Sequence, residues 1–132
     1  MHNISKQSYG YQLIFGGKID LAEMNRWQDE SRRALIGAPK SFGVLIDMRE
    51  LHPGDLAADA QPVMVNGQLM YRKAGMERSC VILQSATVTM QFQRLARESG
   101  IDAYERYISA AAHPDWQARA LGWIERKVDP GR

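Results

Sequence analysis

The 132 residues include one cysteine, Cys80, so no internal disulfide can form and a reducing compartment is the expected setting. Long apolar runs are missing too. No stretch reaches the roughly 18 residues that a membrane span requires, and Met1-His2-Asn3-Ile4-Ser5-Lys6 lacks the apolar core of a secretory leader. A cytoplasmic protein is therefore expected, without a membrane span. Charge of one sign is scarce: 17 basic residues stand against 15 acidic ones, a net +2 that provides no dense basic stripe for nucleic acid. Histidines are few, and His2, His52 and His113 show no metal-ligand spacing. Glycine-rich phosphate loops, a dinucleotide fingerprint and a nucleophile elbow are absent. Cys80 sits inside the apolar run Cys80-Val81-Ile82-Leu83, where a thiolate would be disfavoured. The expectation is a non-enzymatic chain with no catalytic residue, no cofactor and no metal.

What is present is ordinary globular material, 45% apolar and 24% charged, in a length that suits one domain over residues 1–128, with Asp129 to Arg132 expected to fray. The organising stretch is Phe42-Gly43-Val44-Leu45-Ile46-Asp47-Met48-Arg49-Glu50. Its apolar residues are consecutive rather than alternating, which predicts a central strand covered on both faces. Tyr11 to Phe15 forms a second strand bounded by glycines, and the arm before it is open to a further one. Arg78 to Gln84 is a third, parallel to the central strand, and the alternating Tyr104 to Ile108 suits a sheet edge.

Helices alternate with these strands. The first, Leu21 to Leu35, begins at Asp20 with Glu23 three residues on, a capping-box spacing, and turns Met24, Trp27, Ser31, Ala34 and Leu35 to one side. Pro62 places the start of the second near Asp59 to Gln61; it runs to Ala74 with Val65, Leu69 and Tyr71 or Met70 as its apolar face, weakened by Gly67. Ser85 or Thr87 caps the third, Val88 to Ser99. The last starts at His113-Pro114, with proline at the first helical position, and presents Trp116, Ala120, Trp123 and Ile124. This alternation predicts an α/β domain, a mainly parallel sheet of four to five strands with about four helices.

Phe15-Gly16-Gly17-Lys18-Ile19-Asp20-Leu21-Ala22-Glu23, the Val44 to Arg49 strand ending in Asp47, and the closing Asp115 to Ile124 segment together resemble the STAS or SpoIIAA-like family of small bacterial α/β domains. The last segment is similar to an uncharacterised STAS/SEC14-like branch. The resemblance implies a single-domain STAS/SpoIIAA-like fold and a binding or regulatory module. Anti-sigma-factor antagonists of that family carry a phosphorylatable serine after the central strand. Here Glu50 to Ala60 contains neither Ser nor Thr, so that switch does not carry over.

Asp47, Met48, Arg49 and His52, at the carboxyl end of the central strand, are candidate ligand or partner residues, because ligands of open α/β sheets sit at that end. The plainer reading has Asp47 capping loop amides and Arg49 paired with Glu50 or another carboxylate. Ser85 and Thr87, with Thr89, form a possible anion site at a helix start, against which stands simple capping. Arg72, Lys73, Arg78, Arg94, Arg97 and Arg106 are interleaved with Glu77, Glu98, Asp102 and Glu105, which reads as a solvated ion-pair lattice. Met48, Met64, Met70, Met76 and Met90, with Trp27, Phe92 and Tyr71, are expected to cluster, either as core or as an adaptable apolar surface. Two functions follow: a module that binds a protein partner or a second copy, and a binder of a small apolar or lipid-like ligand at the Asp47 end of the sheet.

Overall fold

The apolar run at 42–50 is the middle strand of the protein. In a computed structural model, which describes residues 1–131, the order is β1 (His2–Gln7), β2 (Gly10–Gly16), α1 (Leu21–Ala34), β3 (Phe42–Glu50), α2 (Gln61–Ala74), β4 (Met76–Leu83), α3 (Ala86–Ser99), β5 (Glu105–Ser109) and α4 (Trp116–Arg126). The sheet order is β1-β2-β3-β4-β5. The N-terminal arm is a strand, antiparallel to β2, and every other pair is parallel. A mainly parallel sheet with four helices is the expected fold.

Strand order and chain order coincide, so three successive crossovers of one hand stack α1, α2 and α3 on the same face. Val44, Met48, Val81 and Leu83 point into that layer, where the larger core lies. The opposite face carries Leu45, Cys80, Ile82 and Ile108, covered by Ala120, Trp123 and Ile124 of α4. β3 is thus buried on both sides, as its unbroken apolar run requires.

Asp20 caps α1 by accepting from the Glu23 amide at 2.8 Å. The reciprocal half of the capping box is replaced, because the Glu23 carboxylate lies 3.0 Å from His2 Nδ1 on β1. α4 begins at Trp116, after Pro114 rather than at it, with Asp115 as its N-cap residue. Of the tail expected to fray, Asp129 accepts from Arg106 Nε at 2.9 Å and Nη2 at 3.1 Å, while Arg132 lies outside the described residues.

The inner face of α2 differs from the expected one. Met64, Gly67, Gln68 and Tyr71 are buried, whereas Leu69 is 46% exposed. Gly67 is the reason. The outer edge of the Trp27 ring lies against its backbone, and any Cβ there would overlap the ring atoms. Trp27 also stacks on Tyr71 at 5.9 Å and meets Phe15 edge-on at 5.4 Å; Tyr11 and Phe42 extend the aromatic row. Gln68 joins the buried face because Ser99 Oγ donates to its Oε1 at 2.7 Å.

Gly67→Ala provides a direct check. In an open helix this change stabilises by about 1 kcal/mol; here the overlap with Trp27 is expected to reverse the sign, with a net loss of roughly 1–3 kcal/mol in urea unfolding. A variant as stable as the parent would show that α1 and α2 are not held at this spacing.

Candidate functional site

Successive strand residues point to opposite faces, and this splits the first group of candidates. Asp47 and Arg49 face α4; Met48, 2% exposed, belongs to the core beneath α1 and α2. Arg49 Nε donates to Asp47 Oδ1 at 3.0 Å and Nη2 to Oδ2 at 2.9 Å, a two-pronged pair, and the Arg49 amide adds a third bond at 3.1 Å. The Trp116 ring, at the start of α4, lies 4.5 Å from the guanidinium. Hydrogen bonds to Asp47 hold Arg49 protonated above its ordinary range, against the effect of burial. Arg49 therefore pairs with Asp47 itself rather than with Glu50, and the fork ties the end of β3 to α4.

His52 is not part of this group. Its amide donates to Asp55 Oδ2 at 2.9 Å in the following turn, and its imidazole is exposed. Ser85, not Thr87, caps α3, accepting from the Val88 amide at 3.2 Å, while Thr87 is exposed in the first turn. Ser85, Thr89, Met90 and Ser109 border an open depression of about 470 Å³ at the ends of β4 and β5. The six candidate residues thus fall into four places: the α4 side of β3, the core, the turn after β3 and the start of α3.

The basic residues also differ from a solvated lattice. Arg94 does pair with Glu98, at 2.8 Å on the surface. Arg78 and Arg106, however, face α4. Arg78 donates to the carbonyls of Trp123 (2.8 Å) and Ile124 (3.0 Å), closing the end of that helix, and Arg106 lies over the Trp123 ring at 4.1 Å. Arg106 is 6% exposed because Trp123 and Asp129 cover it.

Glu105 was counted among the solvated acids and is 2% exposed. It accepts from Ser79 Oγ at 2.7 Å and from the Tyr107 hydroxyl at 2.6 Å. Burial pushes its carboxyl up to about 7, although both hydrogen bonds pull the other way. The same burial raises the Tyr107 hydroxyl, and Cys80 on the opposite face is raised to about 12, burial being the first cause. No local signal marks Glu105 as buried, since the cover comes from α3 and from Ser79 of the neighbouring strand.

Glu105 borders an internal cavity of about 30 Å³, with Trp27, Met48, Met64, Gln68, Met76 and Phe92 among its walls. Part of the expected methionine cluster is therefore real, but Met90, 67% exposed, stands outside it. A space of this size accommodates a water molecule. Trp27 Nε1 is a buried donor without a hydrogen-bond partner among the described residues. No group of three or more His, Cys, Asp or Glu among those residues could hold a metal ion. No helix among them is long and apolar enough to cross a membrane.

A feature that the sequence reading placed in the core lies on the surface instead. Between α1 and α2 runs an open groove of about 530 Å³, with Leu35, Ile36, Leu69 and Met70 as its apolar lining and Arg32 and Lys73 as its charged residues. Ile36 is 80% and Leu69 46% exposed. The signal was available in Gly67: a glycine on the buried side rotates Leu69 outward.

The raised Glu105 carboxyl gives a pH dependence. Below its ordinary value of 4.5 the acid is protonated in folded and unfolded chains alike, so it has no effect on stability. As pH rises toward 7 the unfolded chain ionises first, and stability falls. Relative to the parent, Glu105→Gln is expected to gain stability across this interval by up to about 3 kcal/mol, read from urea unfolding at a series of pH values. Parallel stability profiles for parent and variant would show Glu105 to be ionised in the folded state.

No family model and no curated protein matches the sequence. Among solved structures, the chain is similar to an uncharacterised protein of the DUF3478 family with a SpoIIAA-like fold from Shewanella loihica, at 19% identity and a TM-score of 0.61. The match covers 94% of this chain and 92% of that one. The five-stranded, mostly parallel sheet and its four helices constitute a STAS/SpoIIAA-like fold.

Proposed function

We propose that the protein is a non-enzymatic, cytoplasmic binding module that acts through protein–protein contacts made by the α1–α2 face. The observation that carries this reading is the exposed apolar groove containing Ile36 and Leu69. Large apolar side chains gathered in one open depression, with polar residues around them, characterise interaction surfaces. The strand-end candidates point the same way by being committed elsewhere: Asp47 and Arg49 to each other, Ser85 to its helix. A small apolar ligand is the second reading, favoured by the methionine and aromatic walls of the internal cavity. At about 30 Å³ that cavity would have to open several-fold to admit one.

The test compares parent and the double variant Ile36→Asp/Leu69→Asp in quantitative cross-linking and capture from the source cell, with Met90→Asp as a control on another exposed apolar site. Neither side chain is part of the buried core, Ile36 being 80% and Leu69 46% exposed, so circular dichroism and thermal unfolding are expected to match the parent closely. The groove variant is expected to lose the captured partner at least tenfold while the control keeps it. Retention by both variants would refute this surface as the interaction site.

A further inference from the structure

Building on the proposed α1–α2 interaction face, we infer that its partner is an amphipathic helix whose apolar stripe is flanked by carboxylates. Three observations converge. The groove extends from Gln28 on α1 to Ile36 in the turn just past its end, and from Asn66 to Ala74 along α2, nine residues on each side, or roughly 13 Å at about 1.5 Å per helical residue. That length matches two to three turns of a helix with anchors at i, i+3 or i+4, and i+7. The walls are helices, whose backbone groups are already paired internally, so an added strand would find no ladder to join. A helix, which brings its backbone already satisfied, is the element that fits.

Charge selects among helices. The groove lining contains Arg32 and Lys73 and no carboxylate. Both cations lie in the last turns of their helices, where they also offset the helix dipoles. Arg32 makes an exposed pair with Asp29 at 2.8 Å, with both side chains about 60% accessible; such a pair is weak and easily exchanged for a partner's carboxylate. The dipole accounts for the basic residues but not for the uncovered Ile36 and Leu69 between them.

The same distribution disfavours a second copy. A two-fold contact through this face would bring two sets of Arg32 and Lys73 into one interface, with no carboxylate in the groove lining to pair with them. The other helices do not supply an apolar stripe to fill the groove: α3 exposes one large apolar side chain, Met90, and α4 exposes none, while Glu98 and Asp115 are paired with Arg94 and Arg119 beside them. The occupant is therefore a different chain with acidic flanks.

The experiment uses the full-length protein and two fluorescein-labelled, hydrocarbon-stapled peptides of about twelve residues with one leucine stripe at i, i+3, i+4 and i+7, flanked in one by Glu and in the other by Lys. By fluorescence anisotropy at about 50 mM salt, the Glu-flanked peptide is expected to bind at least about tenfold more tightly, the ratio shrinking at about 500 mM. Leu69→Asp is expected to abolish binding of both, and Arg32→Glu/Lys73→Glu to reverse the preference. Equal binding, preference for the Lys peptide, or no binding of either overturns the inference. So does a dimer in light scattering that Leu69→Asp dissolves. Equal peptide binding that Leu69→Asp still removes would reject only the acidic partner; cellular capture indifferent to Ile36→Asp/Leu69→Asp would reject the interaction face itself.

Discussion

The contact of the Trp27 ring with the bare backbone of Gly67 sets the geometry of the helical layer. A large flat side chain on α1 can approach α2 this closely only where α2 has no Cβ. Once seated, the indole stacks on Tyr71 and brings Ser31 Oγ within 2.8 Å of the Tyr71 hydroxyl, so a buried polar pair is satisfied across the same interface. Burial raises that hydroxyl to about 12, and the tyrosine is held neutral as a hydrogen-bonding group. The outer groove is the reverse side of this arrangement. Rotating α2 to admit Trp27 leaves Leu69 facing water, so the outer groove is shaped by the packing beneath it.

The two faces of the sheet are held by different means. Under α1, α2 and α3 the cohesion is apolar and aromatic, and the polar groups that enter, Gln68, Ser99, Ser79 and Glu105, are paired among themselves. On the other face one helix, α4, covers the region of β3, β4 and β5, and its position is secured by side chains that bond to backbone or stack on rings. Arg49 stacks on Trp116 at its start, Arg78 closes its end, and Trp123 Nε1 donates to the Ser79 carbonyl at 3.0 Å. With Arg106 lying over the Trp123 ring, three arginines thereby serve as structural parts of this face.

How far the sequence could be read follows from the range of the interactions. β3 and β4 were legible because burial on both faces leaves a local mark, an unbroken apolar run. The Asp47–Arg49 fork was likewise readable, since residues two apart on a strand share a face. The α2 face was misassigned because counting apolar residues favours Val65 and Leu69, whereas the inner position at Gly67 is filled by a ring forty residues earlier in the chain. Glu105 and Arg106 looked like surface charges for a similar reason. Apart from Tyr107, their side-chain partners are Ser79, Trp123 and Asp129, all distant in sequence. Of the candidate site, the residue types were visible but their grouping was not. Grouping depends on which face each strand residue takes and on where α4 comes to rest.

Because each strand lies beside its predecessor, the sheet can be extended one strand and helix at a time as the chain emerges during synthesis. The face bearing Leu45, Cys80, Ile82 and Ile108 is the exception, for its cover is the final helix. A nascent chain that has completed β5 already displays this apolar strip, and it has nothing to place on it until Trp116 to Arg126 have been made. The closing segment thus acts as a seal. Premature termination before it would leave an otherwise assembled sheet with one adhesive side, in the form best suited to aggregation or to capture by a chaperone.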